Sequence, residues 1–279
     1  MTKPLLLKNL RLMGADAADV LIEGGRIAQI APKITPTGEV SVEDCGGALA
    51  LPGLVDAHAH LDKTLWGMPW HPHQQGKSLQ QMIDTERKLR HELDMDAERQ
   101  SARQVALALS KGTTAIRSHI DIDTEHGLSL HRGVAATRAR YADVMQIETV
   151  AFPQSGLMIR PGTMELMDQA LREGADIVGG LDPCGIDRDP KGQLDAVFGL
   201  AERHGKKIDL HLHEPGEMGA FSLEMILDRT EALAMQGKVT VSHAFCLGMN
   251  DQARVAGLLD RIAALEVSLA TTAPAARPV

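Results

Sequence analysis

Seven short apolar runs follow residue 50, near 53–60, 113–120, 144–152, 176–181, 207–212, 238–243 and 265–270. Between them lie segments with helical period and capping residues. Asp96–Lys111 carries Asp96 as an N-cap and Gly112 just past its end; Thr163–Glu173 carries Thr163 as cap and Gly174 as terminator. Parallel strands need a long crossover between neighbours, and a helix is the usual one. Alternation repeated this often therefore implies an α/β fold with a parallel sheet, either a (β/α)8 barrel or a doubly wound open sheet. Seven runs are one short of a closed barrel. The tail TTAPAARPV follows directly after the seventh.

The first fifty residues read differently. Two apolar stretches in Val20–Ile30 flank Gly24-Gly25, a hairpin signal, and residues 31–50 continue with Pro, Thr and Gly punctuation and no helical period. The expected division is a small all-β piece over 1–50 and an α/β piece over 51–279.

Composition narrows the partners. With 29 basic against 37 acidic side chains the net charge is -8, which argues against a nucleic-acid backbone or an anionic membrane as the main partner. No run is long enough to span a bilayer, and the start MTKPLLLKNL is too briefly apolar for a signal peptide. Cys45, Cys184 and Cys246 are far apart with no CxxC, so a disulfide framework or zinc knuckle is not expected and the reducing cytoplasm is the expected location. The twelve histidines are the chemically rich component.

Four clusters sit at the C-terminal ends of the expected strands. In Gly53–Asp62 (GLVDAHAHLD), His58 and His60 are two apart, so both imidazoles face one side of a strand and can reach one ion. In Asp209–Glu217 (DLHLHEPGE), alternation pairs His211 with His213 and does not decide which faces the site. Val241–His243 (VSH) ends the sixth run. In Arg117–Asp123 (RSHIDID), His119 and Asp121 have ligand spacing but read as lining the pocket and not as ligands. The motif WHPH at 70–73 reads as a loop over the site, and Cys184 as a small buried residue. His91, His126, His131 and His204 read as solvated. A GxSxG elbow, a P-loop and a GxGxxG motif are all missing, which removes the main support for serine hydrolase, NTPase and Rossmann dehydrogenase readings.

Through Leu51–His60 (LPGLVDAHAH), Thr149–Gln154 (TVAFPQ), Asp209–Glu214 (DLHLHE) and Val239–His243 (VTVSH), the chain resembles the amidohydrolase superfamily, within it the cytosine deaminase-like group. The resemblance implies a (β/α)8 TIM-type barrel beside a small β-sandwich, here with only the sandwich's N-terminal part and without the last barrel strand. It implies that His58, His60 and His211 are metal ligands, which chooses His211 over His213. It makes Glu214 the acid/base that shuttles a proton to the ring nitrogen, and His243 the residue that orients the activated water. Gln154 hydrogen-bonds the substrate's polar edge. No lysine stands in Asp176–Asp182 (DIVGGLD), so one divalent ion, Zn2+ or Fe2+, is expected in place of a lysine-bridged pair.

The implied reaction is attack of metal-activated hydroxide on the amidine-like carbon of a cytosine-like N-heterocycle, with loss of ammonia. The alternatives within the class are removal of an alkylamine from a triazine-type ring and hydrolysis of a cyclic amide. The loop after the fourth strand, LDPCGIDRDP, differs from the cytosine-specific pattern. The family's last ligand is an aspartate at the end of the eighth strand. Its absence leads to the expectation of a truncated product with two exposed sheet edges and little activity alone. The partner expected is a small heterocyclic substrate, and a homo-oligomer is compatible with the sequence.

Overall fold

A computed structural model describes residues 3–72, 78–93 and 95–271, the side chain of His91 excepted. The chain divides into two compact units, Met1–Gly53 and Leu54–Val279.

The first unit is one five-stranded mixed sheet. Its strands are β1 (Leu5–Leu12), β2 (Ala17–Glu23), β3 (Arg26–Ala31), β4 (Ser41–Asp44) and β5 (Leu49–Ala50). The order is β3-β2-β1-β4, with β5 also on β1. The Gly24-Gly25 hairpin forms: Glu23 pairs with Arg26, and both glycines take positive φ, 57° and 76°, as a turn that follows the strands' twist requires.

The second unit begins with β6 (Leu54–Ala59) and continues through α1 (Leu79–Glu92), α2 (Ala97–Ser110), β7 (Thr113–Asp121), α3 (Ser129–Arg140), β8 (Gln146–Phe152) and α4 (Thr163–Arg172). It ends with β9 (Ile177–Leu181), α5 (Pro190–His204), β10 (Lys207–Leu212), α6 (Gly216–Ala232), β11 (Val239–His243), α7 (Gln252–Ala264) and β12 (Ser268–Ala270). The seven strands pair in sequence order, all parallel. The edge strands β6 and β12 line a common slot of about 280 Å³, so the sheet curls into a nearly closed barrel of seven strands among the described residues. Leu54, Val55 and Leu269, on these edges, are exposed, as the sequence led us to expect.

Period-2 alternation sorts the strands' side chains. Ile116 and Ile120 of β7, Leu210 and Leu212 of β10, and Val239 and Val241 of β11 belong to the apolar clusters, in which residues of the surrounding helices also take part. The opposite parity is polar and buried: Ser242, His119, Asp121, Asp209 and His211. Such a barrel interior departs from the branched apolar layers usual in this architecture. Polar residues at these positions must be held by one another.

Two local expectations are corrected. Gly162, at φ 98°, is the N-cap of α4, and Thr163 is the first helical residue with no capping hydrogen bond. The seventh strand starts at Ser268 and not at 265, because α7 runs to Ala264 with Leu265 as its C-cap. Asp96 does cap α2, accepting from the Arg99 N–H at 2.7 Å.

The start of α6 is tightly seated. A Cβ at Gly219 would lie 2.0 Å from the carbonyl oxygen of Glu214 and 2.8 Å from Cys246 Cβ. Gly219→Ala is therefore expected to lower stability by about 1–3 kcal/mol, the usual range for overpacking. Urea denaturation reads this directly. An unchanged midpoint would mean that α6 does not pack this closely on the strand end.

Candidate metal centre

Strand parity and barrel register bring four imidazoles together. His58 lies on β6 and His60 directly after it, at φ -128° and ψ 80°, where the chain enters a 3-10 turn over Leu61–Lys63. His119 comes from β7 and His211 from β10. One nitrogen from each ring lies within 4.8 Å of the others. The ring centroids are 4.3 Å apart for His58–His119 and 4.5 Å for His119–His211. His119 and His211 are buried, His58 and His60 half-buried.

The donor set fits a divalent transition metal. Among the described residues, His60 Nδ1 and both nitrogens of His119 and of His211 are buried without a hydrogen-bond partner. Buried polar atoms are nearly always paired, so several orphaned nitrogens in one cluster call for an electrophile. Burial, assisted by the neighbouring rings, pushes the His58 pKa down to about 4. The same causes hold His211 well below its ordinary value; for His60, burial is joined first by Lys63. These three rings are neutral at neutral pH, the state that binds metal.

A layer of hydrogen bonds lies against the cluster. The Asp209 carboxylate, fully buried, accepts from Ser242 Oγ at 2.7 Å and from Arg117 Nη1 at 3.0 Å, and His119 Nε2 stands 3.3 Å away. Ser242 Oγ is 3.1 Å from His58 Nδ1. Near the ends of β9–β11, Asp182 holds His213: its Oδ1 accepts the His213 backbone N–H at 2.6 Å and its Oδ2 lies 2.9 Å from the ring's Nδ1. The His213 ring stacks on His243 at 4.2 Å. His243 has φ 73° and Ala244 φ 47°, two successive left-handed non-glycine residues of the kind found where function holds a backbone against its preference. Burial, with His213 beside it, lowers the His243 pKa to about 3.

Beside His60 opens a cavity of about 630 Å³, whose wall includes Lys63, His71, Met82, Glu86 and Arg90. A chain of charged and polar groups borders it. Lys63 Nζ is 3.2 Å from Glu86 Oε1 and donates to Gln154 Oε1; Gln154 Nε2 donates to Glu86 Oε1 at 3.2 Å. Arg90 joins Glu86 to Asp121, the latter at 2.8 Å. Burial raises the Asp121 pKa, while Lys63 and Arg90 outweigh burial at Glu86 and lower its pKa.

Of the residues singled out in the sequence, His58, His60 and His211 meet in the cluster, and His243 lies 4.8 Å from His58 ring to ring. Gln154 is buried beside Lys63. Glu214 is buried outside the four-imidazole group; its carboxylate accepts the backbone N–H groups of Cys184 and Gly185, both at 2.7 Å, and the Ser222 hydroxyl. Burial nevertheless raises its pKa.

His119 was expected only to line the pocket, yet it is as central as the other three rings. Cys184 is half-buried, not buried. His131 is buried and not solvated, because it shares the inner face of α3 with Val134 and Thr137 at helical spacing. His204 is half-buried against Asp168 at 2.7 Å. In WHPH, His71 and Pro72 line the cavity, whereas His73 is outside the described residues. Asp209 and Ser242 went unassigned, although Asp209 stands two residues before His211 and so shares its strand face. Lys63, Glu86 and Arg90 carry no local signal, since their meeting depends on how α1 closes on the barrel.

The amidohydrolase family profile matches residues 85–276, and the chain belongs to that family. It is 30% identical over 250 residues to N-isopropylammelide isopropyl amidohydrolase of Pseudomonas sp. strain ADP, covering 87% of this chain and 61% of that one. The crystal structure of N-isopropylammelide isopropylaminohydrolase from Burkholderia multivorans ATCC 17616 superposes with a TM-score of 0.95 at 49% identity, over 100% of this chain and 70% of that chain. The 5-methylcytosine deaminase of Klebsiella pneumoniae, liganded with 5-fluorocytosine, gives 0.81 at 26% identity over 95% and 64%. The chain spans 56–61% of the length of the first curated relatives it matches. No helix among the described residues is long and apolar enough to cross a membrane.

Two measurements follow from this geometry. His211→Ala should abolish Zn2+ or Fe2+ uptake in equilibrium dialysis, whereas His213→Ala should retain it; equal uptake by both variants would contradict the cluster. For pH, the unfolded chain binds more protons than the metal-free fold between the ordinary histidine value, 6.5, and about 4. The stability that depends on neutral rings is therefore present above pH 6.5 and lost as pH falls toward 4. Thermal midpoints of metal-free protein should decline through that window, and a flat profile would contradict burial of neutral rings.

Proposed function

We propose that this chain carries the catalytic centre of an aminohydrolase that removes an exocyclic amine or alkylamine from an oxo-substituted N-heterocycle. His58, His60 and His211 would hold one divalent ion, Zn2+ or Fe2+, with His119 against it. The observation that carries this reading is the group of four imidazoles within 4.8 Å, three of them held neutral, beside a cavity in which Lys63, Glu86 and Arg90 stand among the apolar side chains of Leu65, Met82, Leu89 and Met95. When bound, an ion of this kind supplies Lewis acidity and makes water nucleophilic at neutral pH.

The chain's own residues do the rest. Glu214 moves a proton to the ring nitrogen, and burial raises its pKa in the direction a proton carrier needs. His243, neutral and stacked on His213, accepts a hydrogen bond from the attacking water and orients it. Gln154 and Lys63, already in contact, present a donor pair to the ring's oxo edge.

An N-alkylamino oxotriazine is the first substrate class, supported by 49% identity to the Burkholderia enzyme. A cytosine-type ring losing ammonia is the second, supported by likeness to the Klebsiella deaminase. The test follows isopropylamine and ammonia after metal-replete protein meets N-isopropylammelide or cytosine. The chain is assayed alone and joined to the part of the Burkholderia relative that the match leaves out. Isopropylamine is the expected product. Glu214→Gln should keep its metal and lose about 10²–10⁴-fold in kcat, the range for general acid–base catalysis. Release of neither amine in either form, or full activity of the Glu214→Gln variant, would overturn the reading.

A further inference from the structure

The hydrogen bonds beneath the imidazoles have a proton count that can be read out. Asp209 is fully buried beside Arg117, whose Nη1 is 3.0 Å from its Oδ2, and an ionised carboxylate only accepts hydrogen bonds. The 2.7 Å contact between Ser242 Oγ and Asp209 Oδ1 therefore uses the single hydroxyl proton of Ser242. Ser242 Oγ has no second hydrogen to give, so at the 3.1 Å contact with His58 the donor is the ring's Nδ1–H. That fixes the tautomer: Nδ1 carries the proton, and Nε2 keeps its lone pair.

We propose that Asp209 and Ser242 are positioning residues that lock His58 in the Nδ1–H tautomer and so aim its Nε2 lone pair at the metal position. The ligand role of His58 rests on the function proposed above; the tautomer does not. The lock is built into strand register. Asp209 of β10 pairs across from Thr240 of β11, and His211 from Ser242, so the three polar side chains Asp209, His211 and Ser242 lie on one face in two adjoining layers. Arg117 anchors the lower layer from β7: its Nη2 is 2.9 Å from Glu148, and its Nη1 also reaches Thr240 Oγ1 at 3.3 Å. Asp209 Oδ1 further stands 3.3 Å from His119 Nε2, so the same carboxylate lies against a second ring of the cluster. Partners of this kind, which orient a ligating histidine through its far nitrogen, typically change metal affinity about 10–100-fold when removed.

The experiment has two readouts on intact protein at neutral pH. Histidine 15N shifts of the metal-free protein should show His58 as a single Nδ1–H tautomer. Ser242→Ala should turn that signal into a tautomer mixture, and Ser242→Thr, which keeps the hydroxyl, should restore it. In parallel, Zn2+ affinity by chelator competition should fall about 10–100-fold in Ser242→Ala and recover in Ser242→Thr. Asp209→Asn should reproduce the mixture if it folds, and Ser242→Ala carries the test if it does not. A wild-type His58 protonated on Nε2, or a tautomer and affinity that ignore Ser242→Ala, would overturn the proposal. Should the wild type bind no Zn2+ but show the Nδ1–H tautomer that Ser242→Ala scrambles, the metal reading fails while the lock stands.

Discussion

Four imidazole rings occupy a space in which one nitrogen from each lies within 4.8 Å of the rest. Two positive charges about 4 Å apart repel by about 4 kcal/mol even at an effective dielectric near 20. Burial adds a desolvation cost for each charged ring and holds His58, His60 and His211 neutral. Neutral imidazoles in a dry place leave bare lone pairs, which are costly until they meet an electrophile. The fit to a metal ion, the acid sensitivity expected of the fold and the need for supporting hydrogen bonds all descend from that arrangement. It explains why the interior face of this barrel is polar: Asp209, Ser242 and Arg117 take positions that would otherwise hold branched apolar side chains, and they are satisfied by one another.

The mouth of the barrel solves a related problem with charge. Arg87 and Arg90 on α1 are almost fully buried, facing Asp123 and Asp121 from the end of β7. Removing one member of such a pair typically costs about 3–5 kcal/mol, because the other is left buried and unpaired. That penalty holds α1 in place over Lys63 and Gln154. The wall of the cavity and the imidazole cluster are thereby joined through Lys63, which follows His60 by one 3-10 turn.

Much of this was legible in the sequence because strand and helix periods are local. The run 207–212 is β10 residue for residue, and the two-residue spacing of His58 and His60 placed both rings on one side. The same parity placed His119 and Asp121 of RSHIDID in the pocket, though not His119 within the cluster, and the three-residue period of α3 would have buried His131. Other signals were absent. The cap of α4 depends on a left-handed Gly162, and the late start of β12 on one more turn of α7. The Lys63–Glu86–Arg90–Asp121 chain joins residues from three elements, a meeting that only the closed fold creates.

The central claim is that these histidines form a metal site. X-ray absorption at the metal K-edge of protein purified with Zn2+ or Fe2+ supplied tests it most directly. The account predicts bound metal with three or four imidazole nitrogens at about 2.0–2.1 Å, the range for zinc–histidine bonds. Protein that retains no metal, or metal in a shell of oxygen or sulfur without imidazole, would contradict it.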